Sequence, residues 1–205
     1  MNYTTLASQE QITETIKNLE THNINAFLVH TGSDALAKIK EMIPAGMSVM
    51  NGSSVTLETI GYIDYLKSGQ HGWNNLHAGI LAQQDKAKQG ELRKQAVLSD
   101  YYLGSVHALS ETGEFLVASN TGSQLPHIVF TSKNLIFVVG AQKIVSSLAK
   151  GFQRLEEYVV PLEDKHMMEK YNAHTYPSKI VVFKRESPTS DRTVTVIIVN
   201  EKLGY

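Results

Sequence analysis

The chain has 205 residues, 42% of them hydrophobic and 19% charged, which excludes a staple-dependent miniprotein, a collagen-like or coiled-coil rod and wholesale disorder. Lys plus Arg number 19 against 20 for Asp plus Glu, so the net charge of -1 leaves no basic surplus for a nucleic-acid backbone or an anionic membrane face. Cysteine is absent, which removes disulfides, thiol nucleophiles, Cys-ligated zinc and protein-ligated iron–sulfur clusters from this chain's chemistry.

In chain order, Ser8 followed by Gln11 has the form of a capping box, and Ile12, Ile16 and Leu19 recur on one face, predicting an amphipathic helix from about Ser8 to Thr21. Ala26 to His30 predicts a short buried strand. Gly32 and Ser33 open a second helix with Leu36, Ile39, Met42 and Ile43 apolar, ending at Pro44-Ala45-Gly46. Met47 to Met50 is a strand running into Asn51-Gly52-Ser53-Ser54, and Leu57, Ile60, Ile63 and Leu66 place a third helix behind it. The stretch from Gln70 to Gly79, with the only tryptophan, lacks a period and is expected to be a loop, followed by a helix from Ile80 to Leu98. Strands are expected over Asp100 to Val106, Phe115 to Ser119 and Leu135 to Gly140, the last a continuous apolar run of the kind covered on both faces. Ile144 to Tyr158 is a periodic helix and Pro161 opens a shorter one. Lys179 to Lys184 and Thr193 to Asn200 form a closing strand pair turned by Ser187 to Asp191.

Strands alternating with helices at this spacing predict right-handed β-α-β units: an α/β protein with a mainly parallel, Rossmann-like sheet. Without a repeat, low-complexity tract or linker, residues 1–205 are read as one domain, with 1–25 its N-terminal helix and 162–205 the helix and strand pair that complete it. Met1 to Ala7 has no basic region and no apolar stretch behind it, so the expected location is cytoplasmic.

Parallel sheets bind ligands beyond the carboxyl ends of their strands. Two polar loops follow predicted strands there: Asn51-Gly52-Ser53-Ser54-Val55-Thr56 and Asn120-Thr121-Gly122-Ser123-Gln124. Glycine admits a ligand close to the backbone and hydroxyls donate hydrogen bonds, so either loop suits a phosphate or carboxylate. The competing reading is that Ser and Asn only cap the helices that follow. Neither loop is a Walker or dinucleotide fingerprint. In Ser110-Glu111-Thr112-Gly113, Glu111 is a candidate base or nucleophile, or else a turn residue. Lys143 follows the buried strand and is placed to face an anion, while Lys150 and Arg154 fit a solvated helix face. The eight histidines show no H-x-x-x-H pair, and no metal site is expected.

Taken together, Gly52-Ser53-Ser54 with Thr56, Leu57, Glu58 and Gly61, then Asp100, Gly104, Ala108, Glu111, Gly113, Ser119, Gly122 and Ser123-Gln124, then Val138-Val139-Gly140 with Lys143-Ile144-Val145, resemble the lactate-utilisation (LUD) domain family. The likeness runs from about Phe27 to Pro161. It implies a three-layer α/β/α fold related to ribose-5-phosphate isomerase, glucosamine-6-phosphate deaminase, 5-formyltetrahydrofolate cyclo-ligase and the CoA transferases. It further implies a small anionic metabolite bound at the two polar loops with Asp100, Gly113 and Lys143, and a part in oxidising lactate to pyruvate. The alternatives it leaves open are a non-catalytic partner of iron–sulfur lactate-oxidising subunits and a CoA-thioester or sugar-phosphate enzyme. Ser110-Glu111-Thr112-Gly113 is similar to the Ser-Glu-Asn-Gly stretch holding the nucleophilic glutamate of class I CoA transferases. No cofactor is encoded by the chain itself, and a homo-oligomer is allowed.

Overall fold

The computed structural model describes residues 2–205. Helix α1 (Gln9–Thr21) starts as expected: the Ser8 hydroxyl accepts from the Gln11 N–H and the Gln11 side chain accepts from the Ser8 N–H. Strand β1 (Asn25–Val29), helix α2 (Gly32–Met42) and strand β2 (Ser48–Asn51) follow. The predicted third helix is two, α3 (Val55–Thr59) and α4 (Tyr62–Ser68), because Gly61 sits between them at φ +79, a left-handed conformation that ends regular helix. The segment from Gln70 to Gly79 is not all loop: it holds β3 (Asn74–Asn75) and the start of α5 (Leu76–Ala82). Asp85 then caps a separate α6 (Lys86–Gln95) through the Ala87 and Lys88 N–H groups, so the single helix expected over Ile80 to Leu98 is broken there.

Strand β4 (Tyr101–Gly104) leads into a hairpin of β5 (Ala108–Ser110) and β6 (Phe115–Ser119), then β7 (Asn134–Gly140). The helix expected from Ile144 starts later. Ile144–Val145 form strand β8, and α7 (Leu148–Arg154) begins where the Ser147 hydroxyl accepts from the Lys150 N–H. A π-helical turn over Leu155–Val159 joins α7 to α8 (Val160–Tyr171); Pro161, without an N–H to donate, stands just beyond this widened turn.

The expected closing strand pair is not one. Strand β9 (Lys179–Phe183) pairs antiparallel with β6, whereas β10 (Thr193–Val199) lies in the other sheet between β1 and β7, parallel to both. Burial separates them: β10 is an apolar run buried from Val194 onward, while β9 exposes its first residues. The main sheet is parallel throughout, ordered β1-β10-β7-β4-β2-β3, with helices packed on it as expected; a second sheet, β8-β5-β6-β9, is mixed.

Side chains alternate across the main sheet. Ile136, Val138, Ile197 and Val199 pack against α2, α3 and α4, and Leu135, Phe137, Val139, Val196 and Ile198 against α1 and the inner face of the second sheet. Phe115 bridges the sheets, its ring centroid 5.0 Å from Phe137 and 4.8 Å from Phe183. The outer face of the second sheet, with Ala108, Leu116 and Val182, is covered by Leu148 and Phe152 of α7. Among the described residues, no helix is long and apolar enough to cross a membrane.

Candidate functional site

The carboxyl ends of β2 and β4 and the segment after β7 open onto one cavity of about 340 Å3, closed on the other side by the end of β6 and by the π-turn and α8. Its floor is made by Gly52 to Thr56 after β2, Gly104 to His107 after β4, and Lys143 in the short 3-10 turn after β7. Ser119 to Thr121, Ser123 and Gln124 line it from the second sheet. Thus both polar loops singled out in the sequence, distant along the chain, face the same space.

Their approach is close. The Tyr102 hydroxyl donates to Gln124 Oε1 at 2.9 Å, and Gln124 Nε2 donates to the Ala118 carbonyl at 3.2 Å, which pins the second loop. A Cβ at Gly52 would stand 2.6 Å from both Gln124 Oε1 and the Tyr102 hydroxyl, so glycine is what lets the first loop lie against the second. Ser54 accepts from the Leu57 N–H and caps α3, so the capping reading holds for that residue while it also lines the cavity. No regular α-helix follows Gln124; a π-turn over His127–Thr131 stands there.

Lys143 dominates the electrostatics. It is 2% exposed, and its Nζ donates to Thr56 Oγ1 at 3.0 Å, Ser105 Oγ at 3.0 Å and the Val106 carbonyl at 3.2 Å. The two hydroxyls spend their own protons elsewhere, Ser105 on the Val138 carbonyl and Thr56 on the Leu203 carbonyl, so each offers a lone pair to the amine. All three acceptors are neutral, and the charged group that bears on the amine is a second cation, Arg154. Burial, helped by Arg154, pulls the Lys143 pKa down to about 7.

Arg154 is fully buried. It donates from Nη1 to the His107 carbonyl, leaves Nε and Nη2 without partners, and stands 5.3 Å from the Tyr158 ring. His107, on the cavity wall, accepts from the Ala118 N–H at Nδ1, which leaves the proton on Nε2; burial, then Lys143 and Arg154, hold its pKa near about 4, so the ring is neutral. Positive charge without a carboxylate partner is therefore built into this wall.

The remaining sequence candidates lie elsewhere. Glu111 sits in the β5–β6 turn, partly exposed, accepting from Gln11 Nε2 at 2.8 Å, and does not line the cavity. Gly113 is in the same turn at φ +96, beside Asn18 and His22. Asp100 precedes β4 at the opposite end of the sheet, accepting from the Ser48 hydroxyl and N–H; the hydroxyl bond, ahead of the backbone one, lowers its pKa. Asn51 is buried behind the first loop, its Nδ2 on the Gly52 carbonyl, and Gly122 supports the second loop from beneath. Glu111 therefore takes no part in this cavity and instead lines a separate depression with Gln9, Glu10, Gln11, Thr13 and Glu14. Glu111→Gln is expected to shift stability by less than about 0.5 kcal/mol and to leave ligand affinity at the cavity unchanged, measured by thermal denaturation with and without anion.

Sequence reasoning missed Ser105, His107, Leu155, Val159 and Tyr205. His107 had a legible signal, the position just after a predicted strand, whereas Ser105 was expected inside that strand, which instead ends at Gly104. The others arrive through the π-turn and the final segment, where Gln142 ties Leu203 down by bonds to its N–H and carbonyl, and the Tyr205 hydroxyl donates to Glu163. No group of three or more His, Asp or Glu side chains suited to a metal ion occurs among the described residues.

No curated protein matches the sequence. Among solved structures, a DUF162 family protein from Deinococcus radiodurans superposes with a TM-score of 0.58 at 12% identity, covering 96% of this chain and 100% of that one. Ribose 5-phosphate isomerase A from Neisseria gonorrhoeae superposes with a TM-score of 0.38 at 11% identity, over 98% of this chain and 97% of that one. At such identity the first likeness speaks for the fold alone. The LUD domain family matches residues 12–199, nearly the whole chain, and this protein belongs to that family.

Proposed function

We propose that this chain binds a small organic anion, a carboxylate or phosphate, in the cavity at the strand ends, with Lys143 as the charge that holds it. The observation that carries this reading is the buried Lys143 amine, bonded to three neutral oxygens and repelled by Arg154 rather than paired with a carboxylate. An anion supplies the missing counter-charge, and the hydroxyls of Ser53, Ser54, Ser119 and Thr121 line the same cavity from two sides to share its oxygens.

Membership of the LUD family extends the reading to the oxidation of lactate to pyruvate. That reaction removes two electrons and two protons from the hydroxy acid. A chain without cysteine holds no iron–sulfur cluster of its own, so here it positions the organic anion while the electrons leave through an iron–sulfur subunit or a bound redox cofactor. Glu163 and His166 line the same cavity and are the side chains placed to take a proton, since the His107 Nδ1 lone pair is committed to the Ala118 N–H and Lys143 serves as the ammonium.

The test is calorimetry with lactate, pyruvate, a sugar phosphate and inorganic phosphate between pH 6 and 9. Because the ammonium is the binding form, anion affinity is expected to fall as pH rises through about 7, the Lys143 value. Failure of every anion to bind, or an affinity flat across that range, sinks the proposal. Co-purification with an iron–sulfur protein from the native source, together with lactate-dependent reduction of a dye, tests the extension; its absence leaves the anion site standing and removes the redox role.

A further inference from the structure

The cavity has two chemically different ends. Hydroxyls, backbone and Lys143 occupy the strand-end side. Opposite them, Val160 and Met167 of α8 and Pro177 present half-buried apolar surface backed by the fully buried Leu155 and Val159 of the π-turn, with Glu163 and His166 of α8 lining the cavity beside them. The π-turn matters here, because its wider winding changes which residues of the α7–α8 rod share a face. The volume, about 340 Å3, falls within the range of sites that hold ligands much larger than a three-carbon acid. Lactate or pyruvate alone would leave the apolar end facing water.

We infer that the natural occupant is two-ended: an anionic head at Lys143 and the hydroxyl loops, joined to an apolar chain or ring that covers Val160, Met167 and Pro177. This rests on the anion site proposed above and adds the class of molecule. The head fixes position by charge and hydrogen bonds. The tail supplies affinity through the water it displaces from Val160, Met167 and Pro177.

The experiment is calorimetric titration of the intact chain at pH 6 with straight-chain carboxylates from acetate to octanoate, and with inorganic phosphate beside an alkyl phosphate. Affinity is expected to rise about threefold for each methylene up to the length at which the cavity is filled, in both series. Met167→Gln, at a half-buried position, is expected to weaken this dependence, while Met167→Leu retains it. Short anions that bind with no gain from the tail overturn the two-ended occupant and spare the anion site. A gain that persists undiminished in Met167→Gln overturns the assignment of the tail to this wall. If no anion of any length binds, both readings fall together.

Discussion

Lys143→Met is expected to lower anion affinity about a hundredfold while leaving the protein folded and, near neutral pH, more stable by about 1 kcal/mol. The two halves of this result have one cause. Lys143 is buried among neutral oxygens beside Arg154, so its charge is costly to the empty protein and favourable only when an anion faces it. Methionine fills a similar volume without the charge. The folded pKa of Lys143, about 7, lies below the ordinary lysine value of 10.5 that holds in the unfolded chain. Between those values the unfolded chain binds the extra proton, so wild-type stability rises with pH across that window, and the penalty is complete below about 7. The substitution is expected to flatten that slope. Denaturant titrations at pH 6 and pH 9, paired with calorimetry, check both halves. An affinity within threefold of wild type removes Lys143 from the site, and an unchanged pH slope removes it as the source of the pH dependence.

Gly140→Ala is expected to destabilise by about 3 kcal/mol, roughly 8 °C in Tm, and to weaken anion binding with it. Gly140 ends β7, and a Cβ there would stand 2.2 Å from Gln142 Oε1, 2.7 Å from the Leu203 N and 2.8 Å from the Glu201 carbonyl. Two of these are backbone atoms, which do not swing aside as a side chain does. The strand and the final segment are therefore forced apart at the point where Gln142 holds Leu203. Tyr205 on the cavity wall and Thr56, which gives its proton to the Leu203 carbonyl, then lose their placement. Differential scanning calorimetry with and without anion reads both effects. A Tm within two degrees of wild type would show that the segment can be displaced at little cost.

Periodicity and turn chemistry made the first half of the main sheet and its helices legible. The sheet's central strand is recognisable from its apolar run, and the loops Gly52 to Ser54 and Asn120 to Gln124 from glycine and hydroxyls after strands. What could not be read was pairing. β9 and β10 are adjacent in sequence and both rich in β-branched residues, yet they part into different sheets because only β10 is apolar enough for burial on both faces. Glu111 shows the same limit at the site. Its neighbours match a sequence pattern, but the turn that holds it points toward Gln11 of α1, and a local motif carries no information about that direction. Lys143 was legible as a position and not as a chemistry, since its acceptors Thr56, Ser105 and Val106 meet only through the parallel register of β2, β4 and β7.

The strand order sets the timetable of folding. β1, near the start of the chain, hydrogen-bonds only to β10, with Asn25 opposite Thr195, and β10 must also seat itself against β7. β1 therefore has no sheet edge to join until β10, far later in the chain, has been made. β7 meanwhile shows one apolar edge to solvent. Such long-range, late pairing is expected to make refolding slow and to expose an aggregation-prone intermediate in which one edge of the central sheet is bare.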